Sequence, residues 1–310
     1  MHSASSRVTT GERAVQGRES SFRVVHVSDT HLAATTYRRH GAPAAICRSN
    51  WSIVADEIRA LSPNLLVHGG DILFEDPDDQ ASRLYARSEL DRLGVRWRTV
   101  PGNHDVGDGP PDPVFGQTVS PERCDAHERT FDATPWVERH RDWTLIGINS
   151  QLFGTGWAAE DDQWAVLEDA ASAHDGGSIA LFMHKPPFLR QFDEPDASSA
   201  AVPPEARKRL RRLVETGPIR LIACGHRHEH RVCMWEQCAV VTAPSTAFSL
   251  HEGTPPFAGD AGFPGAIEYE FGARRLHWRL VAPDGLTRQD ERFFAAAPSP
   301  RLADAIAGRT

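Results

Sequence analysis

The stretch Phe22-Arg-Val-Val-His-Val-Ser-Asp-Thr-His31 joins an apolar run of strand length to a carboxylate and an imidazole. Residues 22–27 predict a buried β-strand, because most of them are apolar and no turn-forming residue interrupts them. Asp29 and His31 follow directly beyond the carboxyl end of that strand. Open α/β sheets bind their ligands at this end of their strands. The same arrangement after other strands would therefore point to a shared site.

Apolar runs and amphipathic segments alternate along the first two thirds of the chain. Apolar residues at helical spacing predict helices at 51–61, 84–93, 161–173 and 205–215. Strands are predicted at 65–67, 95–100, 143–148, 179–183 and 219–224, and later, without helices between them, at 231–235, 239–242, 266–271 and 276–281. This order predicts an α/β fold whose first sheet is largely parallel and whose late strands form a second sheet packed on it.

Polar residues recur beyond the carboxyl ends of four more of these strands. They lie in the blocks Gly70-Asp71, Gly102-Asn103-His104-Asp105, His184 and Gly225-His226-Arg227-His228. Taken singly, each block is as easily a polar turn or a solvent-facing histidine. Together they bring imidazole, carboxylate and carboxamide groups to one sheet edge, which is costly without a shared partner.

A pair of metal ions is the partner that suits this set of side chains. Imidazole and carboxylate ligands favour Mn, Fe, Zn or Co over Ca or Mg alone. Asp71 carries two carboxylate oxygens and can bridge both ions. Two ions about 3.5–4 Å apart clamp a phosphate and activate a bridging hydroxide for in-line attack. The pattern predicts a dinuclear centre that hydrolyses a phosphate ester.

Composition narrows the class of protein and of partner. The 310 residues are 40% hydrophobic and 25% charged, with a mean hydropathy of −0.42, which is typical of a soluble globular protein. No apolar run reaches the length of about eighteen residues that a membrane span needs. The net charge of −8 disfavours a nucleic acid duplex as partner. A small-molecule phosphate ester is the expected partner, and the late strands offer an edge for a homo-oligomer.

Cysteine usage and the two ends of the chain complete the bulk picture. The five cysteines include no Cys-x-x-Cys pair, which favours reduced thiols and a cytoplasmic protein. The expected organisation is one domain over residues 22–294 between a flexible tail at 1–21 and another at 295–310. The first tail lacks the apolar segment of a secretory signal.

The polar blocks resemble the five signature blocks of the calcineurin-like metallophosphoesterase family. They occur in the family's order, and with the first strand they span residues 22 to 228. The resemblance implies an α/β fold in the form of a four-layer αββα sandwich of two mixed β-sheets. It also implies that the residues holding the first metal are Asp29, His31, Asp71 and His228. Those holding the second metal would be Asp71, Asn103, His184 and His226.

The resemblance assigns the catalytic roles to His104 and Asp105. His104 would face the phosphate and protonate the leaving oxygen or stabilise the charged intermediate. Asp105 would orient His104 from behind, as carboxylates do for metal-site imidazoles.

Departures from the family pattern narrow the subfamily. Phe74 stands where purple acid phosphatases carry a tyrosine ligand, and no Asp-Arg-Gly element follows Asp71 as in the Ser/Thr protein phosphatases. The sequences at residues 28–31 and 184–187 are similar to those of bacterial class III cyclic-nucleotide phosphodiesterases and related glycerophosphodiesterases. A phosphodiester is therefore the expected substrate. A DNA-repair-type nuclease, a phosphomonoesterase and a non-catalytic binding scaffold are the alternatives.

Three loops are expected around the metals, at 106–124, 188–203 and 244–265. Arg190, Arg227 and His251 are candidate contacts to the phosphate or base of the substrate, with solvated loop residues as an equal alternative. The loop phenylalanines either stack on a base or cover the loops, and cover is the favoured interpretation. They are Phe188, Phe192, Phe248 and Phe257.

Overall fold

The structure, a computed structural model, describes most of the chain between residues 21 and 289. The described ranges are 21–34, 45–74, 76–110, 117–173, 176–194, 198–249, 263–273 and 275–289. The predicted domain start at residue 22 coincides with the first strand. Its predicted end at 294 and both predicted tails, apart from Ser21, lie outside the described residues.

The described part of the chain contains eleven strands, six α-helices and one 3-10 helix, Ser150–Leu152. The strands are β1 Phe22–Val27, β2 Leu65–His68, β3 Trp97–Thr99, β4 Trp136–His140, β5 Trp143–Gly147, β6 Ser178–Phe182, β7 Ile219–Cys224, β8 Arg231–Trp235, β9 Cys238–Thr242, β10 Ala266–Gly272 and β11 Arg275–Val281. The helices are α1 Ala45–Leu61, α2 Gln80–Asp91, α3 Asn103–Val106, α4 Pro121–Thr130, α5 Ala158–Ser172 and α6 Pro204–Thr216.

The strands form two mixed sheets. The first has the order β11-β10-β1-β2-β3, with β1, β2 and β3 parallel and β10 antiparallel to β1. The second has the order β4-β5-β6-β7-β9-β8, with a parallel centre from β5 to β9. The prediction that all late strands form the second sheet is therefore wrong. β8 and β9 extend the sheet of β5 to β7, whereas β10 and β11 return to the sheet of β1.

Alternation along the strands divides the core into layers. Val24 of β1 packs between the two sheets, whereas its neighbour Val25 packs beneath α1 and α2. Leu221 and Ile222 of β7 divide in the same way, and Ile222 packs beneath α5 and α6. Successive strand residues point to opposite faces, so each sheet buries both of its faces. The result is the predicted four-layer αββα sandwich.

The short helix α3, the helix α4 and the strand β4 were absent from the sequence prediction. The helix α4 buries only His127, so its sequence lacks the apolar stripe from which an amphipathic helix is predicted. The strand β4 reads Trp-Val-Glu-Arg-His and lies at the edge of its sheet, where only Trp136 is buried. Among the described residues, none of the helices combines the length and apolar character needed to cross a bilayer.

Candidate metal centre

The predicted metal ligands lie just beyond the carboxyl ends of five strands. Asp29 and His31 follow β1, and Asp71 and Asn103 follow β2 and β3. From the second sheet, His184 follows β6, and the block at 226–228 follows β7. Backbone hydrogen bonds join the turn after β1 to the turn after β2. Asp29 N donates to Gly70 O over 2.9 Å, and His31 N donates to Asp71 O over 3.1 Å. Both sheets therefore deliver polar side chains to one edge of the sandwich.

The side chains converge into two groups that share one residue. In each group the ligand atoms all lie within 4.8 Å of one another. The first group is Asp29, His31, Asp71 and His228, and the second is Asp71, His184 and His226. Asn103 joins the second group, because its Oδ1 lies 3.2 Å from His184 Nε2. The structure brings together all seven residues predicted as ligands.

The spacing within the groups is that of ligands around one ion. His31 Nε2 lies 3.1 Å from His228 Nε2, which lies 3.2 Å from Asp29 Oδ1. His184 Nε2 lies 3.2 Å from Asp71 Oδ2 and from His226 Nδ1. A metal–ligand bond of about 2.1 Å places two ligands at a right angle about 3 Å apart. The observed contacts match this value without rearrangement of the side chains.

The protonation of the imidazoles explains why a cation fits between them. His31 Nδ1 faces Leu73 O at 3.1 Å, His184 Nδ1 faces Gly69 O at 2.7 Å, and His228 Nδ1 faces Phe248 O at 2.8 Å. A carbonyl oxygen cannot donate, so each Nδ1 carries the hydrogen, and in a neutral ring Nε2 is a bare lone pair. Two such lone pairs at 3.1 Å repel each other unless a proton or a metal ion lies between them. The donor set therefore fits a metal ion.

The charges of the site also favour cations. The buried carboxyl of Asp71 has its pKa held well below the ordinary value, because the nearby imidazoles of His184 and His104 outweigh the effect of burial. For His184, burial opposes the charged form, yet the carboxylates of Asp71 and Asp29 raise its pKa to about 9. Burial, helped by neighbouring histidines, keeps the pKa of His31 and His226 well below the ordinary value. Two ionised carboxylates at the centre of the site attract positive charge.

Five of the candidate ligands have a left-handed backbone. Their φ angles are 55° at Asp29, 46° at His31, 52° at Asp71, 67° at His226 and 53° at His228. Such a conformation at a residue other than glycine costs about 1–3 kcal/mol and persists only where the surroundings impose it. Strained backbone of this kind clusters at functional sites, and here it turns consecutive side chains towards one point.

Glycines beside the ligands allow this crowding. A Cβ at Gly102 would lie 2.1 Å from Asp71 Oδ1, and a Cβ at Gly225 would lie 1.9 Å from Ser28 Oγ and 2.6 Å from Asp29 Oδ2. Any larger residue at either position would displace a carboxylate of the site.

His104 and Asp105 lie beside the metal groups, but not in the predicted relation to each other. His104 Nε2 lies 4.0 Å from Asp71 Oδ2, whereas its Nδ1 bonds to Phe74 O. The Asp105 carboxylate accepts from Leu73 N and Gly102 N, both at 2.9 Å. The expectation that Asp105 orients His104 is therefore corrected. Asp105 holds together the turns after β2 and β3, and the carbonyl of Phe74 orients His104.

A buried ion pair borders the site and was not predicted. Lys185 directly follows the candidate ligand His184, and its Nζ lies 3.3 Å from Asp108 Oδ1. Both side chains are 2% exposed. Asp108 N donates to Gln117 O over 2.7 Å, so the pair links the turn after β6 to the loop that follows α3. A buried charge needs a partner, and here each residue supplies the other's.

The predicted substrate contacts fall in different environments. Arg190 is exposed, and its backbone N donates to Glu194 Oε2 over 2.9 Å. Arg227 is buried between His226 and His228, with 7% of its surface exposed. His251 and Phe257 lie outside the described residues. Phe188 and Phe192 pack in the core beneath the second sheet. This burial favours a covering role for them over stacking on a base.

Phe248 belongs to the site itself, since its ring contacts two of the candidate ligands. It stacks on His31 at a centroid distance of 4.9 Å and lies 4.4 Å from His228. The carbonyls of Gly69, Leu73 and Phe248 that orient the imidazoles were not predicted. Backbone carbonyls carry no sequence signal, because every residue has one.

Comparison with known proteins agrees with this geometry. The family described as calcineurin-like phosphoesterase matches residues 22–230. A probable glycerophosphodiester phosphodiesterase GpdQ from Arcobacter nitrofigilis is 23% identical over 241 residues, covering 73% of this chain and 79% of its own. A 3',5'-cyclic adenosine monophosphate phosphodiesterase CpdA from Vibrio vulnificus is 25% identical over 257 residues, covering 80% of this chain and 84% of its own.

Solved structures share the fold. A dimetal phosphatase from Danio rerio superposes with a TM-score of 0.52 at 11% identity, covering 84% of this chain and 96% of its own. The purple acid phosphatase PPD1 from yellow lupin gives a TM-score of 0.54 at 14% identity, covering 91% of this chain and 56% of its own. The family match spans well over half of the residues and contains every candidate ligand. The chain belongs to the calcineurin-like phosphoesterase family and is a phosphoric ester hydrolase.

Proposed function

We propose that this protein hydrolyses a phosphodiester at a centre of two metal ions bridged by Asp71. The observation that carries the proposal is the sharing of Asp71 between two compact ligand groups, each with its own imidazoles. One carboxylate at the junction of two such groups suits a pair of adjacent ions. When bound, such ions polarise a phosphoryl oxygen and lower the pKa of a water molecule to near neutrality.

The residues around the ions would share the remaining work. Asp29, His31 and His228 would complete the first ion's ligands, and Asn103, His184 and His226 those of the second. With cations held in both groups, the site would keep the phosphoryl oxygens in a fixed place and oppose the negative charge that develops on them. Apart from the half-buried His226, both sets are buried in segments that backbone bonds already fix, so little reorganisation accompanies catalysis.

His104 is the proposed general acid. It lies outside both ligand groups, and its Nδ1 is occupied by Phe74 O, so Nε2 is the nitrogen that faces Asp71 and the site. A proton held at Nε2 can pass to the oxygen of the leaving alcohol. Phe74 occupies the position of the tyrosine ligand in purple acid phosphatases, so no tyrosinate is proposed as a ligand.

The choice of a diester rests on the relatives. The names of GpdQ and CpdA describe a glycerophosphodiester phosphodiesterase and a cyclic adenosine monophosphate phosphodiesterase. Both relatives align over most of their own length, 79% and 84% respectively. A small phosphodiester such as a cyclic nucleotide or a glycerophosphodiester is the proposed substrate class. The metal identities Mn and Fe, and a cytoplasmic location, stay predictions from the sequence.

The test is a substrate panel on protein stripped of metal and reloaded with Mn²⁺, Fe²⁺, Zn²⁺ or Co²⁺ in turn. The panel contains bis-p-nitrophenyl phosphate, p-nitrophenyl phosphate, cyclic AMP, glycerophosphoethanolamine and duplex DNA. We expect the highest kcat/KM on a small diester, with the Asp71→Ala variant as the inactive control. A higher kcat/KM on the monoester would overturn the diester assignment, and turnover of DNA alone would favour the nuclease. No turnover with any metal would support a binding scaffold.

A further inference from the structure

A turn that none of the five sequence blocks includes lies against the first ligand group. It follows β9 and comprises residues 244–248, here named the Ser245 turn. Ser245 forms an isolated parallel bridge with Ser28, which directly precedes the candidate ligand Asp29. Just before the turn, Ala243 N donates to Cys224 O over 2.7 Å, at the end of β7. The turn is thereby fixed between the strands that carry Asp29 and His228.

The hydroxyl of Ser245 uses its full hydrogen-bonding capacity. It donates to Asp29 O over 2.7 Å and accepts from Ala247 N over 2.9 Å and from Phe248 N over 3.2 Å. A serine hydroxyl has one donor and two acceptor positions, and all three are occupied here. Ser245 is 1% exposed, so water does not compete for these bonds.

These bonds reach two candidate ligands of the first ion. Asp29 has a left-handed φ of 55°, and the bond to its carbonyl helps to hold that strained conformation. The bond to Phe248 N helps to hold the backbone of Phe248, whose carbonyl accepts from His228 Nδ1 over 2.8 Å. Asp29 Oδ1 and His228 Nε2 then lie 3.2 Å apart. One hydroxyl therefore fixes the backbone of one ligand and the acceptor that orients the other.

The imidazoles of the second ligand group have their own orienting contacts outside this turn, and the two groups are linked through Asp29, whose Oδ2 accepts from His226 N over 3.0 Å. His184 Nδ1 donates to Gly69 O, and His226 Nδ1 faces His184 Nε2 at 3.2 Å. The ring of Phe248 likewise lies on His31 and His228, which both belong to the first group. The hydrogen bonds and ring contacts described for the turn thus reach candidate ligands of the first ion.

We infer that Ser245 is a positioning residue for the first metal ion and that the Ser245 turn is a further block of the metal site. This inference rests on the proposed two-metal centre, because it assigns the turn to one ion of the pair. Partners that orient metal ligands typically contribute 10–100-fold to metal affinity. Loss of the hydroxyl should weaken the first site by about this factor and leave the second unchanged.

The experiment is a calorimetric titration of metal-free protein with Mn²⁺, comparing wild type with S245A. Wild type should bind two ions with separate affinities, and S245A should lose about 10–100-fold at one of them only. The matched control is S249A, since the Ser249 hydroxyl donates to Gln289 O over 3.1 Å in the same segment and contacts no ligand. S245T keeps a hydroxyl and should retain more of the lost affinity than S245A.

Urea unfolding of the metal-free proteins separates positioning from general stability. A site-selective loss of affinity in a folded S245A supports the inference. Equal weakening of both sites, or unchanged affinity at both, would overturn it. Should S245A fail to fold, S245T decides the matter, because a folded S245T with both sites weakened equally would also overturn it. Wild-type protein that binds a single ion would contradict the proposed function instead, since that outcome does not involve Ser245.

Discussion

At the residue scale, the site depends on which nitrogen of each imidazole carries the hydrogen. Carbonyls of Leu73, Gly69 and Phe248 hold the Nδ1–H groups of three histidines and turn their Nε2 atoms towards the ligand groups. His104 is held in the same way by Phe74 O but lies outside the ligand groups. The same local device therefore serves both metal binding and proton transfer.

Replacing His104 by alanine should reduce kcat by about 10²–10⁴-fold, because a general acid contributes on this order. Metal content should not change. The His104 backbone N–H that Asp71 Oδ1 accepts over 2.8 Å survives in the variant. Steady-state kinetics and elemental analysis of the same preparation check both parts. A kcat close to that of wild type would rule out the acid role.

Asp71→Ala should lose metal and activity together, since its carboxylate is common to both ligand groups. The expected elemental analysis shows fewer than one ion per chain, against two in wild type. Asp105→Asn is the comparison variant, because it alters a nearby buried carboxylate that belongs to neither group. Turnover that persists in Asp71→Ala would refute the bridging role.

The seven candidate ligands could be found from sequence for a simple reason. Each directly follows an apolar strand, and parallel strands present their carboxyl ends at one edge. Ser245 and Asp108 gave no such signal, because their partners lie far along the chain or in the backbone. The bond from Ser245 to Asp29 O joins residues 216 positions apart. A contact of that separation appears only once both sheets are assembled.

At the scale of the elements, the turns after the strands are packed too closely for ordinary side chains. Gly225 lies against Ser28 and Asp29, and Gly102 lies against Asp71. The sequence predicted these turns from their glycines and their position. It did not predict the division of the late strands, because β10 pairs with β1 through a register between residues that lie over two hundred positions apart.

Gly225→Ala should abolish tight metal binding at the first site, because the new Cβ would displace Ser28 Oγ and Asp29 Oδ2. Gly272→Ala is the control, since its nearest neighbour would be Arg275 O at 3.9 Å. Thermal unfolding and Mn²⁺ titration of both variants check the expectation. Unchanged Mn²⁺ affinity in Gly225→Ala would show that the turn after β7 can shift to accommodate the added Cβ.

At the scale of the whole molecule, the ligands join two separate sheets. Asp29, Asp71 and Asn103 come from the first sheet, and His184 and His226 come from the second. Bound ions would therefore hold the sheets together at the edge that carries the site. A ligand that binds only the folded protein raises its stability in proportion to the logarithm of free concentration.

Removal of metal with a chelator should lower the Tm, and re-addition of Mn²⁺ should restore it. The gain is about 2.7 kcal/mol when free metal exceeds its Kd a hundredfold. Asp71→Ala should give one Tm under both conditions, since it lacks the shared ligand. Differential scanning calorimetry checks this. If the Tm of wild type did not depend on metal, the ions would not contribute to the stability of the contact between the two sheets.

Acid stability should depend on His26, which is buried between the sheets with both ring nitrogens unpartnered. Burial lowers its pKa to about 3, although the Asp29 charge opposes this. Between about pH 6.5 and 3 only the unfolded chain binds this proton, so stability falls as pH falls, by about 1.4 kcal/mol per pH unit. His26→Phe should show a shallower decline than wild type in urea unfolding of metal-free protein from pH 7.5 to 4.5. An unchanged slope would contradict the assignment.

The left-handed φ angles at five candidate ligands restrict how this site can change. Asparagine and glycine tolerate that conformation, whereas branched side chains do not. A substitution that removes one of these ligands but keeps the fold is therefore expected to introduce asparagine or glycine. A descendant of this chain that had given up hydrolysis to become an adaptor would keep the strands and carry asparagine or glycine at positions 29, 31, 71, 226 and 228. Valine or isoleucine at these positions would indicate that the backbone there no longer has a left-handed φ.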